Sequence, residues 1–449
     1  MRLRTPYTLW KRLSIALMGA TLLANCGGED GAATSTSTRG RVIGAPTLTG
    51  TLAAADIDRV TAMSGVQALT GTARCNVTYR SVEYHTQGGA GEATNATTAL
   101  LIPSGADAVC SGERPILIYA HGTATRRDFN MAHIRNTDAL DVSAFFASQG
   151  YIVVAPNYVG YDRSRATYHP YQNAEAQAID VVDALRAVKS VLSSTGAVAS
   201  RKLFIAGYSQ GGFVAMAAHR AIERDYAAEF SVTGSMPMSG SYSLTNFAKT
   251  VIDGKVNLGA TTLIPLIVTS YQKSYGGLYQ QPDDFYELPY AATVETWFPS
   301  LLDDRAQAAL LPGNLFDNGD GQPFLIRNET RDTLREDFRL HRSSPFRQAI
   351  MQNDLLNWTP KAAMALCGAS RDSMVYFGNT VEASTYFATR GVTVPAFDLR
   401  DRATLPAGPS GDLLHGGFAQ LAASYPGADD HFLAPPFCYA LAARFFQSL

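Results

Sequence analysis

The chain has 449 residues, 46% of them hydrophobic and 17% charged, with a formal net charge of −2. That composition is globular rather than disordered, and the length suits one large domain with an insertion, or two domains. The near-neutral balance gives no footing for a nucleic-acid partner, and beyond the N-terminus no apolar run is long enough to span a bilayer.

Arg2, Arg4, Lys11 and Arg12 precede an apolar core, Leu13 to Leu23, which is the pattern of a secretory signal. Leu22-Leu23-Ala24-Asn25-Cys26-Gly27-Gly28 resembles a bacterial lipobox, in which cleavage leaves a lipid-modified cysteine. Cys26 would be that residue, with residues 1–26 as the signal. Lipidation would tether the protein to a membrane and leave its body in water, whereas cleavage nearby would give a soluble secreted protein. Residues 27–45, rich in Gly, Ala, Ser and Thr, predict a flexible linker to a domain spanning 46–449. The four other cysteines, Cys75, Cys110, Cys367 and Cys438, suggest two disulfides in an exported chain. Of the three pairings, Cys75–Cys110 and Cys367–Cys438 are preferred, because each joins neighbouring elements of the expected fold. No cysteine has metal-ligand spacing.

In chain order, Ala53 to Asp58 predicts a short helix. Asn76–Glu83 and Ala96–Ile102 alternate β-branched residues and predict paired edge strands. Ile116–Ala120 is a strand, Ala139–Gln149 a helix ending at Gly150, and Tyr151–Ala155 a strand stopped by Pro156. Asn173–Leu192 is a helix with Ile179, Val182, Leu185, Val188 and Leu192 on one face. A strand at Leu203–Ala206, an Ala-rich helix after it, and a strand near Ser231–Met238 continue the alternation. Such alternation predicts an α/β fold with a mostly parallel sheet and helices on both faces. It breaks over residues 241–360, which read as a mainly helical cap or lid insertion. Its aromatics, Tyr271, Tyr275, Tyr279, Phe285, Tyr286, Tyr290, Trp297 and Phe298, would line an acyl pocket or form the insertion's own core. Within it, Asp317-Asn318-Gly319-Asp320-Gly321 looks like a calcium loop, but Gly319 falls on a ligand position, so a tight turn is expected and no metal. The pattern resumes with a strand at Ala363–Gly368, a helix at Thr380–Thr389, a strand at Val392–Leu399, a long loop, and a closing helix from Pro435 to Phe446.

The chemistry centres on Gly207-Tyr208-Ser209-Gln210-Gly211. This G-x-S-x-G lies between an apolar strand and a helix, the context of a nucleophile elbow. Gly207 and Gly211 are expected where a Cβ would clash, and Ser209 in a strained conformation at the tip. A serine hydroxyl needs a base, and the base needs a carboxylate to hold its tautomer. In this arrangement both partners follow the serine in the chain. Asp372, in the loop after the penultimate strand, is the preferred acid, and Asp398 its rival. His431, just before the closing helix, is the preferred base, and His415 its rival. His219 and His341 read as structural. His85, His133 and His169 precede the serine and fit the order poorly. For the oxyanion, the N–H of Gln210 supplies one donor and the N–H of Thr123, in His121-Gly122-Thr123-Ala124, the second. His121 would order that loop.

Tyr119-Ala120-His121-Gly122-Thr123, Ala155-Pro156-Asn157-Tyr158-Val159-Gly160-Tyr161, His169-Pro170-Tyr171 and Gly207-Tyr208-Ser209-Gln210-Gly211-Gly212 together resemble the α/β-hydrolase superfamily, and within it the secreted microbial lipases and esterases. The resemblance covers roughly Arg114 to the C-terminus. It implies a cofactor-free, exported hydrolase of small-molecule or lipid esters with Ser209, Asp372 and His431 as its triad. A serine peptidase on the same fold would instead need an acidic cluster facing the site from the insertion. A non-catalytic binding protein on a hydrolase scaffold would need no intact triad at all.

Overall fold

The computed structural model describes residues 38–255, 257, 259–288, 290–303, 306–307, 309–310 and 330–449. The expected signal, Cys26, most of the linker and the turn at Asp317–Gly321 lie outside the described residues.

Ten strands form one sheet: β1 (Val42–Leu52), β2 (Asn76–Gln87), β3 (Ala93–Ser104), β4 (Glu113–Ala120), β5 (Ile152–Pro156), β6 (Val198–Tyr208), β7 (Gly234–Met238), β8 (Ala363–Met364), β9 (Leu366–Gly368) and β10 (Ala396–Asp398). Their spatial order is β1-β2-β3-β5-β4-β6-β7-β9-β10, with β8 also against β7. The pairs from β1 to β5 in that order are antiparallel, and the rest are parallel. The strand order reverses direction at β4, so the crevice where open α/β sheets bind ligands opens beyond the C-terminal ends of β4 and β6.

Helices α1 (Ala54–Met63) and α2 (Gln67–Thr70) fall between β1 and β2 in the chain. Alternation along the strands builds two cores. Ile116, Ile118, Ile205 and Val154 face one side. There they meet α4 (Ala174–Val191) and α5 (Gln210–Asp225) through Val182, Leu185, Val214 and Ala218. Leu117, Tyr119, Phe204 and Val153 face the other side, where Val142 and Phe145 of α3 (Thr137–Phe145) and Leu441 of the closing helix Pro435–Gln447 cover them. Asn136 and Asn173 cap α3 and α4 through side-chain acceptors.

Three expectations are corrected. β2 and β3 are interior strands, because β1 pairs outside β2. β1 carries Gly44, Pro46 and Gly50 and two register shifts. These are features an edge strand tolerates, and they make residues 42–45 look like linker. The segment expected as a long loop before the closing helix contains a sixteen-residue helix, Pro409–Ser424. Its Gly411, Gly416 and Gly417 lower its propensity, while Leu414 and Phe418 hold it to the core. The expected strand at Val392–Leu399 is ordered as β only over Ala396–Asp398.

The segment 241–360 contains α6 (Leu244–Ile252), α7 (Ala260–Tyr275) and the helices Asp332–Leu340 and Pro345–Gln352. Tyr271, Tyr279, Phe285, Tyr286, Trp297 and Phe298 are buried in a third core with Phe338 and Phe346, and Tyr275 and Tyr290 pack against it. Both expected disulfides, Cys75–Cys110 and Cys367–Cys438, are formed. No described helix is long and apolar enough to cross a membrane.

Candidate active site

β6 ends at Tyr208 and α5 begins at Gln210, so the whole reversal of the chain falls on Ser209. Its backbone sits at φ 59°, ψ −121°, a region that costs a non-glycine residue of order 1–3 kcal/mol. The glycines explain how the turn closes. A Cβ on Gly207 would lie 2.2 Å from the Gly211 carbonyl oxygen, and one on Gly211 would lie 1.9 Å from that of Ala120. Gly212, not singled out from the sequence, is equally constrained, 2.3 Å from the Met238 oxygen. The Ser209 N–H donates to Met238 O at 2.9 Å, which anchors the tip to β7.

The Ser209 hydroxyl donates to His431 Nε2 at 2.8 Å, and His431 Nδ1–H donates to Asp372 Oδ2 at 2.7 Å. The second carboxylate oxygen, Oδ1, accepts from the N–H groups of Met374 (2.9 Å) and Val375 (2.7 Å). Asp372 is thus held from both ends, and Asp372 and His431 are both buried. Asp372 follows β9 directly, whereas His431 lies on the helical turn Asp430–Leu433 before the closing helix. The Cys367–Cys438 disulfide links β9, whose following loop holds Asp372, to the helix that follows His431.

Asp429, which sequence reasoning did not single out, also ties the two arms. It accepts from the His431 N–H at 2.9 Å and from the N–H and hydroxyl of Ser373. Arg400 forks onto Asp430 at 2.5 and 2.6 Å.

The rival residues sit elsewhere. Asp398 accepts from the N–H of Arg400 in its own turn and from that of Ser370 in the loop after β9. His415 lies on the helix Pro409–Ser424 and donates to Leu399 O at 3.2 Å. His219 is buried between Ser235 and Glu223, and His341 pairs with Asp337 at the surface.

The loop after β4 brings Gly122 and Thr123 beside Ser209. His121 is buried, its Nδ1–H donating to Gly122 O at 2.7 Å and its ring stacked on Tyr158 at 4.1 Å. Burial pulls its pKa down to about 4, so it remains a neutral, loop-ordering group.

Two cavities meet at Ser209. The first, about 40 Å³, is apolar and runs into the 241–360 segment between Leu244, Phe247, Val251, Leu263, Ile264 and Ile267. The second, about 480 Å³, is bordered by Thr123, His431, Phe432, Tyr439, Asp138 and Asp141. Burial raises the pKa of Asp138, and burial, reinforced by Asp138, raises that of Asp141 to about 7. Leu263 borders both cavities. None of the eight aromatics named from the sequence borders either one; they form the third core or pack against it, and residues of α6 and α7, aliphatic except for Phe247, line the first cavity instead. The two carboxylates belong to α3, and no described acidic residue of the 241–360 segment borders either cavity. Among the described residues no His, Cys, Asp and Glu cluster could hold a metal ion.

A family model described as Secretory lipase matches residues 128–299. The rice cell wall degrading esterase LipA from Xanthomonas oryzae matches at 30% identity over 91% of this chain and 98% of that one, with a TM-score of 0.73. A ligand-bound form of that esterase matches at 29% identity over the same shares, with a TM-score of 0.74. Candida antarctica lipase A matches at 15% identity over 81% of this chain and 77% of that one, with a TM-score of 0.55, a likeness of fold alone. No curated protein matches the sequence.

Proposed function

The chain belongs to the α/β-hydrolases, resembles the secreted lipases and esterases, and is a carboxylic-ester hydrolase; from that premise we propose that it works through an acyl-enzyme on Ser209. As the Ser209 oxygen attacks the ester carbonyl, its proton passes to His431 Nε2. Asp372 keeps the other ring proton on Nδ1 and stabilises the imidazolium that forms. The N–H groups of Gln210 and Thr123 take the oxyanion. His431 then hands its proton to the departing alcohol. Water, deprotonated by the same nitrogen, attacks the acyl-enzyme and releases the acid.

The observation that carries this reading is the unbroken line from the Ser209 hydroxyl through His431 to Asp372, at 2.8 and 2.7 Å. The acyl chain is assigned to the apolar cavity and the alcohol to the wider one. At about 40 Å³ the apolar cavity is far smaller than the several hundred Å³ typical of ligand pockets, so acyl binding requires α6 and α7 to part.

Two disulfides and the match to a secretory family support an exported protein. We extend this to a signal at residues 1–26 and a lipid on Cys26, which would tether the enzyme to a membrane. In cells, Cys26→Ala should then move the protein from the membrane fraction to the soluble one.

The reaction is tested by comparing nitrophenyl esters with amino-acyl anilides. The expected result is turnover of the esters alone, lost in Ser209→Ala. Faster anilide cleavage would make the enzyme a peptidase.

A further inference from the structure

Two backbone donors serve the oxyanion in the mechanism above, and they come from different parts of the chain. Thr123 belongs to the loop after β4, and Gln210 to the elbow. Their separation has to be held to a fraction of an ångström, because misplacement by about 1 Å can cost about 10²-fold in rate. Resting on that reading of Ser209, we propose that His169 is the positioning residue that holds the two halves of the oxyanion hole together.

His169 is buried behind the elbow. Its Nδ1–H donates to Val159 O at 2.8 Å, which leaves Nε2 as an acceptor. The Gln210 side-chain amide donates to that nitrogen at 2.6 Å, and the Gln177 amide approaches it at 3.3 Å. Gln210 is the residue whose main-chain N–H faces the oxyanion, so one imidazole fixes the side chain of one donor residue.

The same ring reaches the other donor through three tyrosines. It stacks on Tyr158 at 5.5 Å and packs against Tyr161 at 4.9 Å and Tyr171 at 6.0 Å. Each of those hydroxyls lands on the Thr123 loop. Tyr158 donates to His121 O at 3.0 Å, and Tyr161 donates to Ala124 O. The hydroxyls of Tyr171 and Thr123 lie 2.8 Å apart. The loop is thus gripped before, at and after Thr123 by residues that all touch His169.

Backbone strain marks the same place. Tyr158, Asp162 and Gln172 have positive φ of 67°, 50° and 55°. Ser209 and Ser239 complete the set of such non-glycine residues among those described. Strain of this kind persists only where the surroundings over-determine the backbone, and it gathers at functional sites. Burial also keeps His169 neutral, its pKa pulled down to about 3, so the acceptor on Nε2 persists across the working pH range.

The test uses three variants of the full-length enzyme. His169→Phe keeps the ring and removes both hydrogen bonds. His169→Gln restores an acceptor near the place of Nε2. Gln210→Ala removes the partner side chain and keeps the main-chain N–H. His169→Phe and Gln210→Ala should each lower kcat about 10- to 100-fold with KM within about twofold of wild type. The affinity for a trifluoromethyl ketone, which mimics the tetrahedral oxyanion, should fall by the same factor. His169→Gln should recover most of both, and the double variant His169→Phe/Gln210→Ala should be no worse than either single one. A merely structural histidine predicts something else: lowered thermal stability, with kcat and ketone affinity unchanged, or fully additive losses. Either result would overturn the proposal. Should His169→Phe fail to fold, Gln210→Ala decides alone. Fluorophosphonate labelling of Ser209 in each variant separates this outcome from failure of the serine mechanism itself, which would leave the wild type unlabelled.

Discussion

The elbow and the cap meet at one serine, yet they are built by opposite rules. Around Ser209 almost nothing can move. Three glycines press against backbone oxygens, the hydroxyl faces a buried imidazole, and the carboxylate behind it is held by two N–H groups. In the 241–360 segment the cavity that reaches Ser209 is lined mostly by aliphatic side chains of α6 and α7, over a core of aromatics packed edge-on and tilted. In the proposed reading, polar geometry at the elbow sets what reaction occurs, and the apolar surface of the 241–360 segment, which can slide and repack, sets which acyl chain is admitted. The two regions should therefore respond differently to substitution.

The largest effect is expected at the carboxylate. Asp372→Asn should lower kcat by about 10³–10⁴-fold, because the amide disfavours the tautomer His431 needs, while circular dichroism and thermal unfolding change little. Next comes the elbow backbone. Gly211→Ala should destabilise the protein by roughly 3 kcal/mol or more, since its Cβ would meet Ala120 O at 1.9 Å. Gly416→Ala, in the helix Pro409–Ser424 with nothing within 4 Å of its Cβ, should instead stabilise by up to about 1 kcal/mol. Equal effects at the two glycines in urea unfolding would break the contrast between a constrained turn and a free helix face.

Replacing both Cys367 and Cys438 with serine opens a loop of sequence separation 71 and should cost about 2–4 kcal/mol. Activity should be lost at a lower temperature than the drop in unfolding midpoint alone requires, because the bridge joins the arms carrying acid and base. In the cap, Leu263→Trp should leave short-chain ester hydrolysis within a few-fold of wild type. It should cut kcat/KM for long acyl chains about tenfold. An equal loss for all chain lengths would show that the cap participates in the chemistry.

The last prediction concerns pH. The folded pKa of Asp141 is about 7, raised by burial and by Asp138, above its unfolded value near 3.9. The folded state therefore binds more protons than the unfolded one between those values, and stability falls as pH rises through the window. Asp141→Asn should be more heat-stable than wild type at pH 8, and the gap should close toward pH 4. A gap independent of pH would rule out the ionisation as its cause.

The two regions also differed in how much could be read from the sequence. β4, β5, β6 and α4 declare themselves through apolar runs and a 3.6-residue stripe, because a doubly covered sheet demands continuous hydrophobicity. The elbow is legible because few sequences fit so tight a turn. Chain order alone leaves Asp398 and His415 as rivals to Asp372 and His431; the loop after the penultimate strand and the position just before the closing helix single out the two that hydrogen-bond in line with Ser209. β1 was hidden because an edge strand tolerates Gly44, Pro46 and Gly50. The helix Pro409–Ser424 was hidden because three glycines mask a segment held by Leu414 and Phe418. The cap aromatics gave no clue to which residues face Ser209, because aromatic clustering reports burial, not direction. Asp429 carries no local signature, and the sequence marks His169 only as part of His169-Pro170-Tyr171, with no sign of what its ring holds. Their partners lie far away in the chain, Ser373 for one and Gln210 for the other, and the role proposed for His169 rests on those contacts.

The central claim is that Ser209 carries a nucleophile made reactive by His431. Mass spectrometry after brief exposure to a fluorophosphonate tests it most directly. The account predicts one phosphonyl group per chain, located on Ser209, absent in Ser209→Ala and formed at least 10²-fold more slowly in His431→Ala. A wild-type protein that resists the reagent, or an adduct that forms equally fast without His431, would contradict it.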